Sequence, residues 1–203
     1  ALRRERPADE YRRALTSAVA QAGRLREIVE KLLFLARADA DTRMTDLEAV
    51  DLCDWLPRHL SEAWAGHTRF ADLHVHVPSG PHAVVLAHRL LLGTAVDNLI
   101  DNAFKFSPSG SPVRVGLEAG PADPAITVED HGPGVPEDVQ HRVFEPFFRS
   151  ERARRDGVSG VGLGLAITAR IAAAFGGGVT AESRPGGGSR FAFTLPSGAY
   201  PPG

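Results

Sequence analysis

Asn98 and Asn102 are the only asparagines in the chain, and Lys105, one of its two lysines, follows three residues later. The stretch runs Asp97-Asn98-Leu99-Ile100-Asp101-Asn102-Ala103-Phe104-Lys105-Phe106-Ser107, in a sequence that elsewhere takes its basic side chains almost entirely from arginine. At about 100° per residue, the three polar side chains fall within a helical sector of about 60°, beside an apolar stripe of Leu92, Val96, Leu99, Ala103 and Phe106. They therefore lie at the margin of a buried face, where the wall of a pocket would be. Amide oxygens do not compete for protons and suit a hydrated divalent cation such as Mg²⁺, while a compact ammonium suits a polyphosphate. A solvated helix face is the competing reading, but Asn is a mediocre helix former and Ala or Glu would serve such a face better.

A second constellation, Asp130-His131-Gly132-Pro133-Gly134-Val135-Pro136, closes a predicted strand in which Ile126, Val128 and Asp130 share one face. If that face is buried, Asp130 points inward, and a buried carboxylate must accept hydrogen bonds. The exocyclic amino group of adenine is a suitable donor, whereas guanine offers a carbonyl there. Gly132 and Gly134 would let the backbone approach a flat ring. The competing reading is a plain strand exit with an Asx-type turn. A third stretch, Gly157-Val158-Ser159-Gly160-Val161-Gly162-Leu163-Gly164-Leu165, leads into a predicted helix. Free amides at a helix start, aided by the helix dipole, form an anion site. It is not a Walker loop, because no Lys-Ser or Lys-Thr follows, and it lacks the final glycine spacing of a dinucleotide fingerprint. Flexible loops are commonly glycine-rich, so this cluster says little alone.

Other features read as structural. The three phenylalanines of Phe144-Glu145-Pro146-Phe147-Phe148-Arg149 are expected to pack the base of the following loop. Arg149, Arg152, Arg154 and Arg155 either touch phosphates or form a solvated charge run. His74 and His76 alternate in a strand without a third ligand at sensible spacing. No Gly-x-Ser-x-Gly or His-Glu-x-x-His motif is present.

These side chains need a scaffold. The 203 residues suffice for one ordinary core plus an appendage. A net charge of −2 gives no electrostatic case for nucleic acid. The single cysteine, Cys53, excludes an intramolecular disulfide and fits a reducing compartment. No apolar run reaches transmembrane length, and the non-Met start is read as a cut within a longer protein, not as a signal peptide. Leu15, Ala18, Ala22, Leu25, Val29, Leu32 and Ala36 form a heptad seam, predicting one long helix over about 8–38 that needs a partner helix. Mixed α and β texture follows. Strands are expected at 48–52, 70–77, 113–118, 125–130, 179–183 and 190–195. Helices are expected at 53–66, with Pro57 in the first turn, and at 88–106, 136–143 and 163–175. A mobile loop is expected at 149–160 and a disordered tail at 197–203.

The three constellations, in this order, resemble the ATP-binding domain of sensor histidine kinases, in the superfamily that includes gyrase, Hsp90 and MutL. Asn98–Ser107 looks like the N box, Asp130–Gly134 like the G1 box, Phe144–Phe148 like the F box, Gly160–Leu165 like the G2 box, and Gly186–Ser189 like the last glycine box. The resemblance covers about 46–196 and implies an α+β fold, an α/β sandwich whose mixed β-sheet is covered on one face by helices and preceded by one long N-terminal helix. Residues 1–42 resemble the second helix of the dimerisation and histidine phosphotransfer hairpin. None of the eight histidines has the context of a phosphoacceptor, so that residue is expected upstream of Ala1. By resemblance, Asn102 supplies an oxygen to Mg²⁺, Asn98 supports the phosphate end, Lys105 and Arg149 approach the phosphates, and Asp130 reads adenine with Gly132 and Gly134. Gly160, Val161, Gly162, Leu163, Gly164 and Leu165 form a lid. The implied cofactors are ATP or ADP and Mg²⁺. The implied partners are a response-regulator receiver domain and the phosphoacceptor helix of the same kinase or its dimer mate, in a homodimeric parent whose catalytic part is cytoplasmic. Hydrolytic relatives carry glutamate where Asn98 stands, and an amide cannot take a proton from water. The alternatives are a nucleotide-binding or dimerisation module without transfer activity and a related ATPase.

Overall fold

The computed structural model describes residues 10–13, 15–19, 29, 46–78, 82–119 and 122–197. The chain divides into two compact units, Ala1–Ala40 and Asp41–Gly203. In the first, residues 10–13 and 15–19 are helical, and the seam positions Leu15 and Val29 are exposed. Most of the predicted heptad helix, and the tail beyond residue 197, lie outside the described residues.

The second unit holds a five-stranded sheet in the order β2 (Leu73–His76), β4 (Val113–Glu118), β5 (Ala125–Glu129), β7 (Ser189–Thr194) and β6 (Gly178–Ser183). β2 runs parallel to β4 and every other pair is antiparallel, which makes the sheet mixed. Register explains its two faces. Leu117, Ile126 and Phe193 form one cross-strand row, and Val115, Val128, Phe191 and Ala181 form the next. These side chains are buried, and Phe191, Phe193 and Ile126 almost fully so. On the opposite face the Arg190 guanidinium pairs with Glu118 and Glu182 and lies 3.8 Å from Glu129. One face is therefore core and the other is charged. A separate antiparallel pair joins β1 (Glu48–Asp51) to β3 (Val84–Ala87).

Helix α1 (Leu52–Trp64) buries Leu52, Trp55, Leu56, Leu60 and Trp64 and is capped by Asp51, whose carboxylate accepts from the Cys53 amide at 3.0 Å. Pro57 lies in its second turn, not the first, where it removes the amide that would reach back to Cys53. Helix α2 (Arg89–Phe106) buries Leu92, Val96, Leu99 and Ala103 of the expected stripe and leaves its fifth member, Phe106, half-buried. It packs on β4, β5 and α4 (Gly164–Ala174). Thr168 of α4, fully buried, reaches the Ala95 carbonyl at 3.3 Å.

Several expectations need correction. Phe70–Asp72 is a 3-10 turn, and only Leu73–His76 is strand. β3 has no counterpart in the sequence reading; its four residues VVLA are too short and uniformly apolar to declare a period. The predicted helix at 136–143 is two separate 3-10 turns, Glu137–Val139 and Arg142–Phe144. The predicted loop at 149–160 holds a short helix, α3 (Glu151–Arg155), capped by Ser150 Oγ accepting from the Ala153 amide.

Candidate functional site

Asp130 is 1% exposed, continuing the inward face of β5 with Ile126 and Val128. Its Oδ1 accepts from the Gly132 amide at 2.7 Å and from the Ser189 amide at 3.1 Å. The first of these bonds is the Asx turn of the competing reading, so local and inward roles coexist. Among the described residues no hydrogen bond ends on Oδ2. Gly132 lies where a Cβ would come within 3.0 Å of the Phe106 carbonyl, at the end of α2. The next amide, His131, donates to Ser107 Oγ at 3.1 Å. The acid turn and the asparagine helix are therefore in direct contact.

On α2, Asn98 and Asn102 are half-buried and Lys105 is exposed. Asn98 faces α4, since a Cβ on Gly164 would lie 3.3 Å from Asn98 Oδ1. Its Nδ2 is buried without a hydrogen-bond partner; among the described residues only His88 Nδ1, at the start of the same helix, shares that condition. A buried donor left unpaired costs roughly 1–3 kcal/mol unless something accepts from it. The Asn102 side chain makes no hydrogen bond among the described residues. Lys105 pairs with Asp101 one turn back.

The glycine-rich segment enters α4 through Val161 and Gly162, both half-buried, and Leu163, which is buried. Gly162, at φ +79°, accepts at its carbonyl from the Phe147 amide at 2.8 Å, and a Cβ there would meet the Phe148 carbonyl at 2.5 Å. Gly160, at φ +135°, has open space around it. Leu165 is half-buried in the first turn of α4. The phenylalanine segment departs from the reading that all three rings pack the loop base. Phe147 is 54% exposed at φ +64°, and its backbone, not its ring, ties the loop. Arg149 donates to the Ala153 carbonyl at 3.2 Å and also to the Val158 carbonyl. Its guanidinium thus braces the loop around α3 in this conformation.

Four side chains around the site carry no motif signal. Asp97 Oδ1 accepts from Trp64 Nε1 at 2.7 Å and lies 3.0 Å from His59 Nε2, which docks α1 on the back of the asparagine helix. Gly93 gives the His59 ring its place, because a Cβ there would meet the ring at 2.8 Å. Arg69 donates to the carbonyls of Phe104 at 2.7 Å, Ser107 at 3.2 Å, Pro108 at 2.8 Å and Ser111 at 3.3 Å. It also bonds Asp72 at 2.8 Å, holding that carboxyl below its ordinary pKa. Ser183 and Arg184, at the end of β6, bond to the acid turn. Apart from the Arg69–Asp72 pair, their partners lie 33 or more residues away, beyond the reach of spacing arguments.

Known proteins resemble this chain in sequence and fold. Residues 87–199 match the family described as histidine kinase-, DNA gyrase B- and HSP90-like ATPase. A sensor-like histidine kinase of Mycolicibacterium smegmatis, SenX3, is 37% identical over 198 residues, spanning 95% of this chain and 50% of its own length. The chain thus spans about half the length of the curated relatives it matches. Among solved structures, full-length ShkA in complex with AMPPNP has a TM-score of 0.75 at 27% identity, covering 98% of this chain and 42% of that one. The mycobacterial sensor histidine kinase MprB has a TM-score of 0.61 at 33% identity, covering 74% of this chain and 97% of that one. The chain belongs to the histidine kinase-, DNA gyrase B- and HSP90-like ATPase family and is homologous to its sensor histidine kinases.

Proposed function

We propose that this chain is the ATP-binding catalytic part of a two-component sensor histidine kinase, with residues 46–196 as the catalytic domain and 1–42 as a helix of the dimerisation and phosphotransfer region. The carrying observation is a pair of polar atoms on touching walls that no hydrogen bond occupies among the described residues: buried Asn98 Nδ2, a donor, and Oδ2 of Asp130, an acceptor. A purine triphosphate offers the complement of both, an exocyclic amino group for Asp130 and phosphate oxygens for Asn98.

The donor set fits magnesium as well as nucleotide. Asn102 offers an amide oxygen with no competing partner among the described residues, suited to a cation that takes its other ligands from phosphate and water. Lys105 neutralises phosphate charge by exchanging Asp101 for the ligand. Arg149 serves the phosphates only if it leaves the Ala153 and Val158 carbonyls, so its first role is to shape the loop. Gly160, with open space and a left-handed backbone, gives the loop its freedom, while Gly162 stays fastened to the phenylalanine segment. Bound Mg-ATP would supply a transferable γ-phosphoryl group, and positioning with charge neutralisation does most of the catalysis in such transfers. Asn98 cannot act as a base toward water, which favours an imidazole acceptor over hydrolysis. That imidazole belongs to a histidine outside these 203 residues, and a receiver-domain aspartate takes the phosphoryl next. The parent is read as a homodimer anchored in a membrane, with this part in the cytoplasm, as the resemblance to sensor kinases implies. Among the described residues no helix is long and apolar enough to cross a membrane.

The test is phosphotransfer in trans. Supplied with a phosphoacceptor-histidine helix and γ-labelled ATP, the chain is expected to yield acid-labile, base-stable phosphohistidine. Tight ATP binding with no labelled histidine would leave a binding module, and rapid phosphate release by the chain alone would make it an ATPase.

A further inference from the structure

The backbone of Asp130 and one of its carboxylate oxygens are held by neighbours, most of them on a single hairpin. The Asp130 amide donates to the Ser189 carbonyl at 2.9 Å, and the Ser189 amide returns a bond to Oδ1 at 3.1 Å. The Asp130 carbonyl accepts from Arg184 Nη1 at 3.0 Å, while Arg184 Nη2 lies 3.2 Å from Glu129. At the far end of the same turn, Ser183 Oγ donates to the Val135 carbonyl at 2.9 Å and accepts from the Val135 amide at 3.0 Å. Small residues make the approach possible. A Cβ on Gly134 would sit 2.7 Å from Ser183 Oγ, and one on Gly188 would sit 2.0 Å from the Asp130 carbonyl. Ser183 and Arg184 are adjacent, and between them they grip both ends of the 130–135 turn. The hairpin is closed behind them by the Arg184 amide on the Gly188 carbonyl at 2.9 Å.

We propose that Ser183 and Arg184 are positioning residues that set base selectivity, by fixing the direction in which Asp130 Oδ2 is presented. The assignment rests on Asp130 as the adenine contact proposed above. Its physical basis is preorganisation. A carboxylate distinguishes an amino group from a carbonyl only if it cannot swing away from the wrong one. With the Asp130 backbone held by Ser189 and Arg184, and Oδ1 held by two amides, Oδ2 cannot swing. Release of either grip lets the turn relax, so the amino donor gains less and the carbonyl is repelled less. Contacts to the phosphates arise on α2 and are untouched.

The experiment is titration of the full chain with Mg-ATP and with Mg-inosine triphosphate, which carries a carbonyl in place of the amino group. The variants are Ser183→Ala, Ser183→Thr and Arg184→Met. The wild type is expected to favour ATP by about tenfold or more. Ser183→Ala and Arg184→Met are each expected to shrink that ratio about fivefold, leaving inosine triphosphate affinity within about twofold. Ser183→Thr, which keeps the hydroxyl, is expected to retain the ratio. An equal fall for both nucleotides, or an unchanged ratio, would overturn the assignment, since a merely structural role moves both together. A wild type without preference for ATP would remove the adenine reading itself, which separates the two failures. Thermal melting verifies that each variant is folded, and Arg184→Met carries the test if Ser183→Ala is not.

Discussion

Gly162 shows how closely the site's chemistry depends on single atoms. It combines a left-handed backbone with a position where a Cβ would meet the Phe148 carbonyl at 2.5 Å. Gly162→Ala is therefore expected to destabilise the fold by about 1–3 kcal/mol, read by urea unfolding, and to weaken nucleotide binding by loosening the loop's tie to Phe147. A Gly160→Ala variant, with open space but the same handedness problem, should affect the loop without the collision. At Asn98 the unpaired Nδ2 predicts a different outcome. Asn98→Ala removes a buried donor that costs the empty site energy, so thermal stability without nucleotide should hold or rise while nucleotide affinity falls. Parallel loss of both would point to a structural amide. The residue types at this scale were legible: two asparagines at helical spacing and an acid closing an apolar strand are patterns that chemistry selects. The exposed, left-handed Phe147 was not legible, because its conformation comes from a bond to Gly162 fifteen residues on.

At the scale of elements, the asparagine helix is held at its end and along its back. Arg69 satisfies carbonyls from Phe104 to Ser111 and stacks 4.8 Å from the Phe104 ring. A cation at a helix C-terminus meets both the unpaired carbonyls and the negative end of the dipole. Arg69→Gln is expected to cost about 3 kcal/mol of stability, seen in chemical denaturation, and to weaken nucleotide binding because the Ser107–His131 junction loses its anchor. A loss below about 0.5 kcal/mol would show that water replaces the guanidinium without consequence.

The cap of α1 gives a pH prediction. Burial raises the Asp51 carboxyl pKa, but hydrogen bonds from His82 and the Cys53 amide outweigh it and leave the value lowered. The hydrogen bond to Asp51 raises the His82 pKa above 6.5. The lowered acid contributes stability above its unfolded pKa and loses it as pH falls through the folded value. The raised histidine contributes below 6.5 and loses its share as pH rises through its folded value. The difference in melting temperature between wild type and His82→Ala should therefore be largest in mildly acidic solution and vanish at alkaline pH. A difference independent of pH would contradict the pairing. Element types followed from the sequence wherever a period ran long enough, as in α2 and β4. They failed where four apolar residues showed none, as in β3, and where Pro136 and Pro146 bracket turns too short to nucleate a helix.

At the scale of the molecule, the sheet joins both walls of the site. β5 delivers Asp130, the hairpin of β6 and β7 holds it, and α2 packs across β4 and β5 to bring the asparagines alongside. All of these parts lie within Asp41–Gly203. A chain shortened to residues 46–197 is accordingly expected to bind Mg-ATP within about twofold of the full chain, by titration. Loss of binding would place part of the site in the first forty residues. No spacing argument could have placed Ser107 against His131, because that contact is made only when helix and sheet are packed.

The most direct measurement is calorimetric titration of Mg-ATP into the wild type, Asn102→Ala and Asp130→Ala. One purine triphosphate shared by both walls predicts a single site in the wild type, no detectable binding in Asn102→Ala and affinity lowered at least about tenfold in Asp130→Ala, with all three proteins folded. Unchanged affinity in both variants would show that the asparagine helix and the acid turn, though in contact, do not serve a common ligand.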